Sequence, residues 1–104
     1  MVDTSDVVMN EAEGQFEVIL DGQTAFAKYQ LEPGAIVFPH TVVPEAFEGQ
    51  GVGSALAKAG LGYAREHHLQ VKPTCTFFAG YITKHPEWHD LVAPDFRARL
   101  GIKS

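Results

Sequence analysis

Polar and apolar positions alternate from Gln15 to Glu17 and then run apolar through Val18-Ile19-Leu20, the pattern of a strand with one buried face. Asp21-Gly22 follows, the strongest short-range hairpin signal in the chain. The partner strand spans residues 24–31, with Phe26, Lys28 and Gln30 on one face and Ala25, Ala27, Tyr29 and Leu31 on the other. Glu32-Pro33-Gly34 makes a second turn, and residues 35–43 form a third strand bent or bulged at Pro39. After a loop from Pro44 to Gln50 the period changes. Val52, Leu56, Ala59 and Tyr63 recur at three- and four-residue steps, which predicts a helix over 51–68. Ala55, Gly60 and Gly62 let that helix approach a sheet, and His67-His68 suit the negative end of its dipole.

Residues 69–78 read as one more strand, interrupted near Pro73. A short helix from Ala79 to His85 stops at Pro86, and a second helical piece covers 87–92. Residues 1–12 are polar and expected to be a flexible tail, leaving 13–104 as a single domain. The order β-β-β-α-β-α joins antiparallel hairpins to one strand–helix–strand crossover, and a crossover implies a parallel pair. The class is α+β with a mixed sheet.

A length of 104 residues suits one core, and no apolar run approaches the roughly 20 residues of a membrane span. The N-terminus is acidic, with no apolar run of the kind that follows a secretory signal's basic start, so the cytoplasm is the expected compartment. A net charge of −5, with eight basic residues spread along the chain, argues against nucleic acid as a partner. A cofactor phosphate remains compatible, because backbone N–H groups at a helix start hold it without net positive charge. The single cysteine, Cys75, excludes an internal disulfide and a CxxC motif.

Gly49, Gly51 and Gly53 stand at alternate positions where a strand and loop give way to a helix. Such a turn can fold its N–H groups around a diphosphate; the alternative is a flexible loop with a glycine-rich helix start. Gly53-Ser54 lacks the lysine of a Walker loop. Ser54 also occupies the third-glycine position of a dinucleotide fingerprint, which would need more strand–helix alternation than this chain supplies. His85 and His89 are four apart, but Pro86 lies between them and the HExxH glutamate is missing, so no metal site is expected.

The turn Glu48-Gly49-Gln50-Gly51-Val52-Gly53 resembles the coenzyme A loop of the GCN5-related N-acetyltransferases at Gly51 and Gly53. With His40-Thr41-Val42-Val43-Pro44 before it, and Pro73-Thr74-Cys75 and Tyr81-Ile82-Thr83-Lys84-His85-Pro86 after it, residues 14–92 resemble the minimal, YjdJ-like branch of that superfamily. The resemblance implies an acyltransferase using acetyl-coenzyme A as co-substrate and an unidentified amine as acceptor. It equally admits a module that binds an acyl-coenzyme A with little turnover.

The resemblance further implies that Thr41, Val42 and Val43 offer their backbone to the pantetheine arm, in a slot where this strand splays from Thr74-Cys75-Thr76-Phe77. Residues Gly49 to Ser54 would take the pyrophosphate through backbone amides, chiefly those of Gln50 to Ser54. Glu48 replaces the usual Arg or Gln, so its carboxylate is expected to turn away from the anion. Tyr81 matches a tyrosine that protonates the leaving thiolate, or else it is a packed core residue. Cys75 is either a nucleophile or part of the acyl-pocket wall. His40 is a general base or a cross-strand structural histidine, and Lys84 either meets the cofactor's 3′-phosphate or is solvated.

Overall fold

The computed structural model describes residues 2–47 and 49–102. Five strands form one sheet in sequence order: β1 (Val8–Asn10), β2 (Gln15–Leu20), β3 (Gln23–Glu32), β4 (Ala35–Val42) and β5 (Gln70–Lys72). Three α-helices accompany them: α1 (Val52–Glu66), α2 (Thr76–Lys84) and α3 (Pro94–Leu100). The first four strands pair antiparallel, and α1 carries the chain to β5, which pairs parallel to β4 through Ile36 and Val71. The fold is α+β with a mixed sheet and one long helix.

The hairpins form as their turn residues dictate. Leu20 pairs with Gln23, so Asp21-Gly22 is a two-residue loop, and both its residues have positive φ (50° and 78°). That is the turn whose twist matches the flanking strands. Between Lys28↔His40 and Gln30↔Val37, one residue of β3 faces two of β4, Phe38 and Pro39. The expected irregularity at Pro39 is therefore a β-bulge, and it shifts the faces of everything after it. Ile36 and Phe38 point into the core, while His40 and Val42 share the opposite face with Lys28 and Phe26.

Helix α1 buries Val52, Leu56, Gly60, Leu61 and Ala64 against the sheet, with Ala59 and Tyr63 at the margin of that stripe. At its C-terminus His68 adopts a left-handed φ of 56°, Leu69 N–H reaches Ala64 O (2.8 Å) and His68 N–H reaches Arg65 O (3.3 Å). This is a Schellman closure with histidine in the usual glycine position. Gly60 lies where a Cβ would come within 2.9 Å of the Phe38 ring, whereas Gly62 has nothing within 4 Å. Close approach thus explains Gly60 and leaves Gly62 without a packing reason.

Two expectations need correction. Residues 8–10, placed in the tail, pair as β1 with β2, and Val2 is buried with its N–H bonded to Gln50 O (2.8 Å). The strand expected over 69–78 ends at Lys72. Pro73 has no N–H to give, and Cys75 donates to Phe38 O (2.9 Å). Cys75 O then accepts from Ala79 N–H (3.1 Å), the first bond of α2, so Thr76, Phe77 and Phe78 are helical. The aromatic run looks extended, but Phe78, Tyr81 and Ile82 are the buried residues, at helical spacing.

Candidate functional site

The glycine turn opens α1. Gly49 and Gly51 have φ of 78° and 74°, a conformation that side-chain-bearing residues rarely adopt. Gly51 is the N-cap of α1 and supplies no side-chain acceptor, and no acidic residue stands in the first turn. The N–H groups of Val52, Gly53 and Ser54 are the ones helix geometry leaves without an intrahelical acceptor. Gln50 differs from them, because its N–H is turned to Phe47 O at 3.3 Å. Gly53 serves another purpose: a Cβ there would lie 2.9 Å from the Phe77 ring. Glu48, expected to turn away, lies outside the described residues.

Between this turn and α2 lies a cleft of about 310 Å³. Ser54 forms its α1 side, and Thr76, Phe77, Gly80, Tyr81, Lys84 and His85 form the other. Those positions recur at one, four, five, eight and nine residues from Thr76, a single face of α2. The structure therefore brings Ser54, Tyr81 and Lys84 to one cleft. It adds Gly80 and His85, and also Thr76 and Phe77, which the corrected helix boundary puts on this face. Lys84 is exposed and has no ion-pair partner among the described residues.

Tyr81 is 8% exposed, and its ring stacks on His85 at 4.0 Å and 16°. Among the described residues, its buried hydroxyl has no hydrogen-bond partner, and neither has the buried Trp88 indole nitrogen. Burial, the largest cause, holds the Tyr81 pKa above the ordinary phenol value, and the charge of Glu87 pushes the same way. Burial likewise raises Tyr29. Each phenol takes up its proton more tightly when folded than when unfolded. That stability is fully present below the unfolded pKa near 10 and is lost as pH rises through the folded values. Thermal unfolding followed from pH 8 to 11 is expected to show a steepening loss above about pH 10, reduced in Tyr81→Phe.

The two histidines considered for metal binding close α2 instead. His85 Nδ1 bonds Tyr81 O at 2.7 Å and His89 Nε2 bonds Ile82 O at 2.8 Å. A carbonyl can only accept, so both ring nitrogens carry hydrogen there. These bonds satisfy carbonyls that the last turn of a helix leaves open.

The slot beside β4 is present in altered form. β4 stays paired with β3 through Val42, but its pairing with β5 ends at Val37↔Lys72. The far wall is the first turn of α2, not a continuing strand. Cys75 Sγ meets Thr41 Oγ1 at 3.4 Å across this gap, and Cys75 is buried at 9% exposure. Val42 is half-buried, and Val43 lies just beyond the strand and is exposed. His40 is exposed on the opposite sheet face, 6.2 Å from the Phe26 ring, and does not join Cys75 or Tyr81. The bulge at Phe38-Pro39 is what separates them.

A family model described as GCN5-related N-acetyl-transferase matches residues 15–91. The chain belongs to this family. Protein NATD1 of Mus musculus is 36% identical over 75 residues, covering 69% of this chain and 68% of its own length. Protein NATD1 of Gallus gallus has the same identity and coverage, and that of Danio rerio is 34% identical over 75 residues with 69% and 68% covered. The five-stranded sheet with its β4–α1–β5 crossover fits a minimal fold of this acetyltransferase family. Among the described residues, no helix is long and apolar enough to cross a membrane.

Proposed function

We propose that the chain is an acetyl-coenzyme A-dependent N-acetyltransferase acting on an amine. The observation that carries this reading is a cleft lined by the Tyr81 side chain, whose buried hydroxyl has no partner among the described residues, and beginning at the uncapped first turn of α1. An anion at that turn would satisfy amide donors that no side chain caps, and a group seated in the cleft would give the phenol an acceptor. The donor set therefore fits a coenzyme A thioester. Bound there, such a thioester supplies an activated acyl group and a thiolate leaving group.

The chain's own residues divide the remaining work. The amides of Val52, Gly53 and Ser54 hold the pyrophosphate, with Gly49 and Gly51 shaping the turn. Lys84 faces the cleft mouth and adds charge toward a terminal phosphate. The backbone of Thr41, Val42 and Val43 lines the gap where β5 has ended and receives the amide-bearing arm. Tyr81 carries its proton at Oη through neutral pH, as an acid for a leaving thiolate requires. Cys75, beside Thr41 in the gap, lines the acyl end, while His40 is placed to meet only an acceptor arriving from the outer sheet face.

Titration with acetyl-coenzyme A, followed by backbone amide shifts, tests the binding half. The largest perturbations are expected at Val52 to Ser54 and along the cleft face of α2, with small ones at Gln50. Unmoved amides at Val52 to Ser54 at saturating cofactor would sink the reading. Incubation with a panel of amines then separates the enzyme from a binding module. Acceptor-dependent thiol release marks turnover, and saturable binding without it marks a module.

A further inference from the structure

The segment before β1 runs back against the glycine turn. Val2 is buried in the core, its N–H donates to Gln50 O at 2.8 Å, and its carbonyl oxygen lies 3.5 Å from where a Gly51 Cβ would stand. Between Val2 and β1 the chain holds its own shape. Ser5 N–H donates to Asp3 Oδ1 (2.8 Å) and Asp3 N–H to Asp6 Oδ2 (3.0 Å), closing the 3-10 turn Thr4–Asp6. The far end continues into β1, which pairs with β2. Residues 2–7 are thus a strap tied at both ends, and one tie is the glycine turn.

The bond to Gln50 O fixes more than a carbonyl. A trans peptide is planar, so its C=O and N–H point opposite ways. With Gln50 O turned to Val2, Gly51 N–H must face away from the strap. Gln50 N–H is turned to Phe47 O, so the peptides on both sides of Gln50 are held. Gly51 N–H itself has no acceptor among the described residues. Gly51 stands at φ 74° and ψ 18°, and helical Val52 follows. Successive residues of opposite hand turn their N–H groups to one concave side, so Gly51 N–H joins those of Val52 and Gly53. Without the Val2 bond that peptide could turn over at small cost, because Gly51 has no Cβ to oppose it.

We propose that the Val2 backbone N–H is the positioning group of the glycine turn, holding the Gln50–Gly51 peptide so that Gly51 N–H becomes a further donor to the cofactor's diphosphate. The donor role rests on the acetyltransferase reading above; the fixed peptide does not. Two substitutions separate the amide from the side chain. Val2→Pro keeps an apolar residue and removes the N–H, whereas Val2→Ala keeps the N–H and removes buried carbon. With Met1 retained and verified by mass, Val2→Pro is expected to raise the Kd for acetyl-coenzyme A about five-fold, the worth of one hydrogen bond, and Val2→Ala by less. Where turnover is present, KM follows Kd while kcat holds. A folded Val2→Pro protein that binds as tightly as the wild type, or loses less affinity than Val2→Ala, overturns the proposal.

A second measurement needs no cofactor. The wild type is expected to show a scalar coupling through the hydrogen bond between the Val2 nitrogen and the Gln50 carbonyl carbon. The Gly51 amide signal is expected to move in Val2→Pro, while amides in the last turns of α1 stay in place. No coupling in the wild type, or a Gly51 amide unmoved in the variant, also overturns the proposal. A wild type that fails to bind acetyl-coenzyme A sinks the acetyltransferase reading and the donor role with it, whereas these two readouts still decide whether Val2 fixes the peptide.

Discussion

Tyr81→Phe is expected to lower acetyl-transfer kcat by about 10²- to 10⁴-fold, the usual worth of a positioned proton donor, without loss of stability. Most substitutions of a buried residue destabilise, so the pairing of the two outcomes is diagnostic. The Tyr81 hydroxyl is shielded from solvent with no hydrogen-bond partner among the described residues, and an unsatisfied buried polar group costs on the order of 1–3 kcal/mol. Phenylalanine keeps the ring, its stack on His85 and its contact with Phe77, and removes only that oxygen. The melting temperature is therefore expected to hold or rise slightly. A variant that loses stability while keeping its turnover would reverse the assignment and make Tyr81 a structural residue. Affinity for acetyl-coenzyme A, measured separately, is expected to change little, because the turn amides remain intact.

The second large effect concerns two glycines of α1 that look alike in sequence and differ in space. A methyl group at Gly60 would stand 2.9 Å from two carbons of the Phe38 ring and 3.4 Å from Phe78. Those rings are fully buried and stacked at 4.2 Å and 9°, so neither can give way cheaply. Gly60→Ala is expected to cost about 1–3 kcal/mol by overpacking, more than the gain in helix propensity. A methyl group at Gly62 meets nothing within 4 Å, so Gly62→Ala is expected to stabilise by about 0.5–1 kcal/mol. Urea unfolding of the two variants checks both signs together. The Gly60 substitution has a functional consequence as well. Phe38 and Phe78 join β4 to α2, and Phe38 O anchors the Cys75 N–H at the gap where the strands part.

The local elements of this chain were legible because their causes are local. Asp21-Gly22 sets its hairpin through positive φ at both residues, and Pro39 announces the bulge in β4. The β4–α1–β5 crossover follows from the change in hydrophobic period after Gln50. Membership of the acetyltransferase family was also readable, through motifs whose order matches it.

Tertiary structure decided the rest. The aromatic run Thr76-Phe77-Phe78 favours a strand by composition, yet Cys75 donates to Phe38 O and turns the chain into α2, a bond between residues far apart in sequence. That one change moves the far wall of the gap from a strand to a helix and creates the cleft face from Thr76 to His85. His40 looks well placed along the chain, but a single extra residue at the bulge puts it on the opposite face, because strand side chains alternate with a period of two. The sequence by itself determined the two hairpin turns, the strands β2 to β4 and the start of the long helix α1. Where α2 begins, which face His40 takes and what surrounds the Tyr81 hydroxyl depend on contacts between distant segments, which no local pattern encodes.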